Sequence, residues 1–166
     1  MFEVGDYIIY GNNGVCKITN VGPMDMPGVP KSKLYYTMTP CYIRDSSIFT
    51  PVDNDRVVMR KVMSRQEAEK FLETAEDIDK LDIKEEKHRE QEYKAAILTC
   101  DPTVLVGIIK TIQDRMQDRI AEGKKVTASD TKYIHIAEDS LYGELAISFD
   151  MEKDDVKAYV KDRIDI

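Results

Sequence analysis

Over the first sixty positions, apolar residues alternate with polar ones in short runs. Five runs rich in β-branched and aromatic residues are separated by glycine, asparagine and proline, the residues that favour turns. No connection is long enough for a crossover helix, so these runs can pair only as an antiparallel sheet that curls into a small barrel. The predicted strands cover 6–10, 15–21, 33–39, 46–50 and 56–60.

Two local patterns say more about this sheet. The sequence GNNG at 11–14 separates the first two strands, and its residues tolerate the positive φ angles of a tight hairpin. Residues 46–51 are the predicted edge strand, because Pro51 cannot continue a hydrogen-bonded ladder. By alternation only one of Ile48 and Phe49 points inward, so the other is either exposed or faces a partner.

From Ser64 onward the apolar spacing changes to three and four residues, which is typical of amphipathic helices. The sequence from Ser64 to Glu67 has a capping-box pattern, and Asp101 followed by proline is a second helix start. Gly107 interrupts the strongest apolar face, so we expect a close helix–helix contact there. Helices are predicted after Ser64, over 93–100, from Asp101 to Gly123, over 129–146 and after Asp150.

The charged run 82–92 is either a linker or the solvated start of the next helix. Together the two patterns predict an α+β chain made of two segregated modules. The first is a small β-barrel over residues 1–62, and the second is an all-α domain over residues 63–166.

Charge is distributed unevenly between the two predicted modules. Residues 1–63 hold seven basic and six acidic residues, whereas residues 64–166 hold 17 basic and 25 acidic ones. Because affinity for a phosphate backbone comes from neutralising it with lysine and arginine, any DNA contact must come from a local patch. The one helical segment with a basic excess, 110–125, is either such a patch or an ordinary solvated face.

Motifs for catalysis or cofactor binding are missing, so we expect a binding protein without a cofactor rather than an enzyme. His135 and Glu138 share a helix face, but a metal site there lacks a third ligand nearby. Three cysteines without a CxxC pair predict free thiols. With no apolar run of eighteen residues and no leader-like start, we expect a cytoplasmic protein without membrane contact.

Several short motifs of the first 55 residues are similar to those of one bacterial protein family. They are Val4-Gly5-Asp6, Tyr10-Gly11, Gly14-Val15, Tyr35-Tyr36 and Pro51-Val52-Asp53-Asn54. On these motifs the chain resembles the CarD/CdnL transcription regulators, whose N-terminal module is also found in the transcription-repair coupling factor. The long helix after Asp101 and the sequence from Gly143 to Ala146 resemble the C-terminal domain of CarD/CdnL proteins, which the coupling factor lacks.

The resemblance implies a Tudor-like, SH3-like barrel that docks on the RNA polymerase β subunit by strand-to-strand contact. It also implies a helical domain that contacts promoter DNA beside the melted region, where a tryptophan wedge stabilises the open complex. The expected polymerase contacts are Met24, Ile48, Phe49 and Thr50. The expected DNA contacts are Lys87, Arg89, Arg115, Arg119, Lys124, Lys125 and Lys132.

This chain has no tryptophan, and Glu86 or Lys87 lies at the wedge position. We therefore expect weak, non-specific contact with promoter DNA. The alternative hypothesis is a protein–protein adaptor that never contacts DNA. We expect a monomer, with a strand-exchanged dimer as the alternative.

Overall fold

The computed structural model describes all residues, Met1–Ile166. The chain divides into two compact units, a sheet unit over Met1–Val62 and a helical unit over Met63–Ile166. The sheet unit is a five-stranded antiparallel sheet, and the helical unit contains five α-helices. The predicted fold class, a small β module followed by a helical region, is confirmed.

The strand order across the sheet is β4-β3-β2-β1-β5, so β4 and β5 lie at its two margins. Alternating positions of the central strands form the core of this unit, where Ile8, Cys16, Ile18, Tyr36 and Met38 are buried. The strands are β1 (Tyr7–Tyr10), β2 (Val15–Pro23), β3 (Leu34–Pro40), β4 (Ile48–Pro51) and β5 (Met59–Lys61).

The first two strands form the predicted hairpin, joined through a 3₁₀ turn over Gly11–Asn13. Gly11 and Gly14 have φ angles of 46° and 65°, a region that residues with a Cβ rarely adopt. A Cβ on Gly11 would also lie 2.7 Å from Cγ1 of Val57. The turn therefore needs glycine at both of its ends.

The last strand begins later than the sequence pattern predicts. Its expected range of 56–60 is wrong at the start, because Asn54 holds the preceding residues in a turn. The Asn54 amide donates to the Val57 carbonyl at 2.8 Å and accepts from the Arg56 N–H at 3.3 Å. Residues 54–57 are thereby kept out of the ladder with β1.

The helices begin where the sequence places strong caps. Ser64 Oγ accepts from the Glu67 N–H at 3.3 Å, and the Glu67 carboxylate accepts from the Ser64 N–H at 2.7 Å, which completes the predicted capping box. Asp101 accepts from the Thr103 N–H at 2.8 Å. The helices are α1 (Arg65–Thr74), α2 (Arg89–Leu98), α3 (Pro102–Ala121), α4 (Ala128–Phe149) and α5 (Lys153–Lys161).

One apolar core fills the helical unit. Both Tyr133 and Ile134 of α4 are buried in it. Ile120 continues the apolar spacing of α3 but is 63% exposed, because it lies in the last turn of that helix. Glu144 of α4 is fully buried and accepts from the Met63 N–H at 3.0 Å.

The segment after α1 is bound along α3. Lys110 Nζ donates to the carbonyls of Ala75, Glu76 and Ile78 at 2.7–3.0 Å. A Cβ on Gly107 would lie 2.9 Å from the Asp79 carbonyl oxygen. The close contact expected at Gly107 therefore exists, but it is made with this segment rather than with another helix.

Replacing Gly107 by alanine should destabilise the protein. Alanine normally stabilises a helix interior by about 1 kcal/mol relative to glycine, but the added methyl would collide with backbone at this position. Overpacking of this kind costs about 1–3 kcal/mol, so the net change is a loss of up to about 2 kcal/mol. Urea unfolding monitored by circular dichroism measures it, and a variant more stable than the parent would contradict the contact.

Candidate functional site

The outer edge of β4, here called the β4 margin (Ile48–Pro51), is bonded to β3 on one side only. The Val52 N–H donates to the Leu34 carbonyl at 3.0 Å, so Val52 and Leu34 are a hydrogen-bonded pair of this ladder. Since hydrogen-bonded pairs alternate in an antiparallel ladder, Thr50 bonds to β3 whereas the N–H and C=O of Phe49 point away from it. The predicted edge strand is confirmed.

The side chains of β4 alternate as expected. Phe49 is 50% exposed, whereas Ile48 packs against the sheet core. Thr50 is only 2% exposed, so its side chain is not available to a partner. Met24 is half-buried and lies in the loop after β2 rather than on β4. The structure thus places Phe49 alone on the exposed face of the β4 margin; the polymerase contacts of all four residues stay a prediction.

Pro51 limits how far an added strand could extend along this margin. It has no N–H, and its carbonyl already accepts from the Asn54 N–H at 3.1 Å. A partner strand would therefore centre on Phe49, which offers a donor, an acceptor and an exposed ring.

Sequence reasoning missed two exposed apolar residues in the loop that leads into β4. Tyr42 is 43% exposed and Ile43 is 51% exposed. They could have been recognised from the sequence, because an aromatic and an aliphatic residue stand together in a loop between two predicted strands. Together with Phe49 they give this end of the sheet unit three large exposed apolar side chains within eight residues.

In the helical unit, five side chains form a closed polar ring: Glu86, Arg89, Tyr93, Arg115 and Asp130. Asp130 is fully buried and accepts from Arg115 Nε at 2.9 Å and from the Tyr93 hydroxyl at 3.2 Å. Arg89 Nη1 in turn donates to the Tyr93 hydroxyl at 3.0 Å. Burial raises the pKa of Tyr93 above its usual value, so the phenol keeps the proton that it donates to Asp130.

Glu86 closes the polar ring at the surface. One of its carboxylate oxygens accepts from Arg89 Nε and Nη2 at 2.9 and 2.7 Å. The other lies 2.5 Å from Arg115 Nη1. Hydrogen bonds from Arg89 lower the pKa of Glu86, so this carboxylate is ionised at neutral pH.

In four of the other five expected DNA contacts the side chain also has a partner within the chain, and the fifth, Lys125, is exposed. Arg119 Nε donates to the Lys125 carbonyl at 2.9 Å, Lys124 pairs with Glu122 at 2.6 Å, and Lys87 pairs with Glu85 at 3.1 Å. Lys132 Nζ lies 4.9 Å from the ring centre of Tyr133. The structure therefore brings Arg89 and Arg115 together, but around carboxylates; their contact with DNA stays a prediction.

His135 and Glu138, which share a helix face, have different surroundings in the structure. His135 is exposed, and the Glu138 carboxylate accepts from Lys157 Nζ at 2.7 Å. No group of three or more histidine, cysteine, aspartate or glutamate side chains is arranged to hold a metal ion. None of the helices combines the length and apolar content that crossing a bilayer requires.

Comparison with known proteins identifies the sheet unit. Residues 2–63 match the family model described as the CarD-like/TRCF RID domain. The matched range contains all five strands and ends where the helical unit begins. No curated protein matches the chain.

Proposed function

We propose that this chain binds the β subunit of RNA polymerase through the β4 margin of its CarD-like/TRCF RID domain and regulates promoter opening through its helical unit. That domain family is a protein-interaction family associated with transcription, and it interacts with the polymerase β subunit. The observation that carries the proposal is the outward-facing N–H and C=O of Phe49 beside its half-exposed ring. These groups supply what an added strand needs, main-chain bonds for affinity and a side chain for specificity.

The contact is expected to be mainly apolar, because Ile48, Phe49, Thr50 and Pro51 carry no charge. Its affinity should therefore depend little on salt.

The test is co-elution of the full chain with RNA polymerase core enzyme and with the isolated β lobe that carries the partner strand. We expect a complex with both, retained when the salt concentration is raised to about 1 M, where charges are screened beyond roughly 3 Å. A chain that elutes apart from polymerase at both low and high salt would overturn the proposal.

For the helical unit we propose weak, non-specific contact with promoter DNA. Its acidic excess and the carboxylate partners of its arginines support a dissociation constant no better than about 10⁻⁴–10⁻⁶ M. Held near a promoter by the sheet unit, even weak contacts alter the lifetime of the open complex, because tethering raises the effective concentration of DNA.

A second candidate function is an adaptor that binds polymerase and another protein without contacting DNA. It is favoured by the internal partners of Lys87, Arg89, Arg115, Arg119, Lys124 and Lys132. Salt separates the two functions. The effect of the chain on open-complex lifetime should weaken steeply with salt if the helical unit contacts phosphates, and should change little if it contacts only protein.

A further inference from the structure

Glu86 is bound in the way that arginines bind a phosphate. Both of its carboxylate oxygens are used, one by Nε and Nη2 of Arg89 and the other by Nη1 of Arg115. The planar guanidinium group matches a carboxylate and a phosphate equally well, since both present paired oxygens at similar spacing. The Glu86 side chain is 61% exposed, so the ligand position that it fills is open to solvent.

The two arginines do not need Glu86 to keep their positions. Arg115 is oriented from beneath by the buried Asp130, and Arg89 donates to Tyr93, which itself donates to Asp130. An ion pair to an exposed carboxylate adds little to stability. Removing the charge of Glu86 should therefore leave a preorganised pair of cations at the surface.

We propose that Arg89 and Arg115 form a phosphate-binding site for the DNA backbone, and that the Glu86 carboxylate occupies this site when no DNA is bound. DNA must then displace Glu86, which weakens the contact. The inference rests on the proposed function only in taking DNA as the source of the phosphate. A groove of about 480 Å³ adjoins the site, and its charged lining is mixed: Lys80, Arg119 and Lys124 beside the two arginines, and Asp114, Asp118 and Glu122.

The test compares two full-chain variants with single substitutions at neighbouring positions, Glu86→Gln and Glu85→Gln. Each removes one negative charge, but Glu85 pairs with Lys87 and His88 and contacts neither arginine. We expect Glu86→Gln to bind duplex DNA about tenfold more tightly than Glu85→Gln at low salt, since one phosphate contact is gained. Its plot of log affinity against log salt should steepen by about one unit. Fluorescence anisotropy of a labelled duplex measures both quantities.

Equal affinities of the two variants for duplex DNA would overturn the proposal, provided that thermal melting shows both to be folded. Adding Arg89→Gln to the Glu86→Gln variant should cancel the gain, and a gain that survives would exclude Arg89 from the site. Inorganic phosphate is titrated in parallel, and a gain for phosphate without one for duplex would overturn DNA as the ligand. Both variants should co-elute with polymerase to the same extent. If neither variant co-elutes with polymerase, the proposed function is overturned, but the phosphate-binding site is not.

Discussion

Replacing Phe49 by aspartate should weaken binding of the chain to the RNA polymerase β subunit by at least about thirtyfold, the loss expected when an aromatic anchor is removed from an interface. Phe49 is the residue of β4 whose backbone groups face outward and whose ring is half exposed. An aspartate there would place a charge beside the incoming strand, where it must be desolvated without a partner. Isothermal titration of the full chain with the isolated β lobe measures the change.

Val58→Asp is the matched control for this variant. Val58 is 41% exposed and lies next to β5, at the opposite margin of the sheet. It introduces the same charge on a similarly exposed apolar residue, and its affinity should stay within about twofold of the parent. Both variants should keep the parent's melting temperature within a few degrees, because surface substitutions change stability by about 0.5 kcal/mol. Equal affinity for Phe49→Asp and Val58→Asp would remove Phe49 from the polymerase contact.

Replacing Asp130 by alanine should destabilise the chain by about 3–5 kcal/mol, the cost of removing one partner of a buried ion pair. Asp130 is fully buried, and its removal leaves Arg115 with only the exposed Glu86 and takes the acceptor away from the Tyr93 hydroxyl. Chemical denaturation followed by helix signal gives the free energy of unfolding.

Two further variants separate this effect from the general loss of a charge. Asp139→Ala removes a carboxylate from the same helix, but that carboxylate is 68% exposed and pairs with Lys153, so the cost should be within about 1 kcal/mol. Adding Arg115→Met to Asp130→Ala should restore part of the lost stability, because no buried charge is then left without a partner. Equal losses for Asp130→Ala and Asp139→Ala would show that the polar ring does not stabilise the helical unit.

Features decided by neighbouring residues could be predicted from the sequence. The glycines at 11 and 14, the capping box from Ser64 to Glu67 and the edge strand ending at Pro51 depend on local chemistry, and each is found in the structure. The candidate site, the β4 margin, could be predicted for the same reason, since the alternation of side chains and the position of Pro51 are both read from neighbouring residues.

The surroundings of the basic residues could not be predicted, because they depend on residues far apart in the chain. Tyr93 and Asp130 are separated by 37 positions, and Lys110 and Ala75 by 35. From composition alone, Lys110, Arg89 and Arg115 would be assigned to the solvated surface. Only the packing of α2, α3 and α4 shows that each is bound to a carboxylate, a carbonyl or a hydroxyl of the chain itself.

The shortness of the β4 margin also bears on solubility. Fibril growth requires each added molecule to present an uninterrupted row of main-chain donors and acceptors to the next one. Here that row is reduced to Phe49, because the following proline has no N–H and its carbonyl is already taken by Asn54. A partner with a matching strand adds other contacts to so small a margin, whereas identical copies stacking edge to edge gain almost nothing from it. The β4 margin is therefore a poor template for edge-to-edge growth.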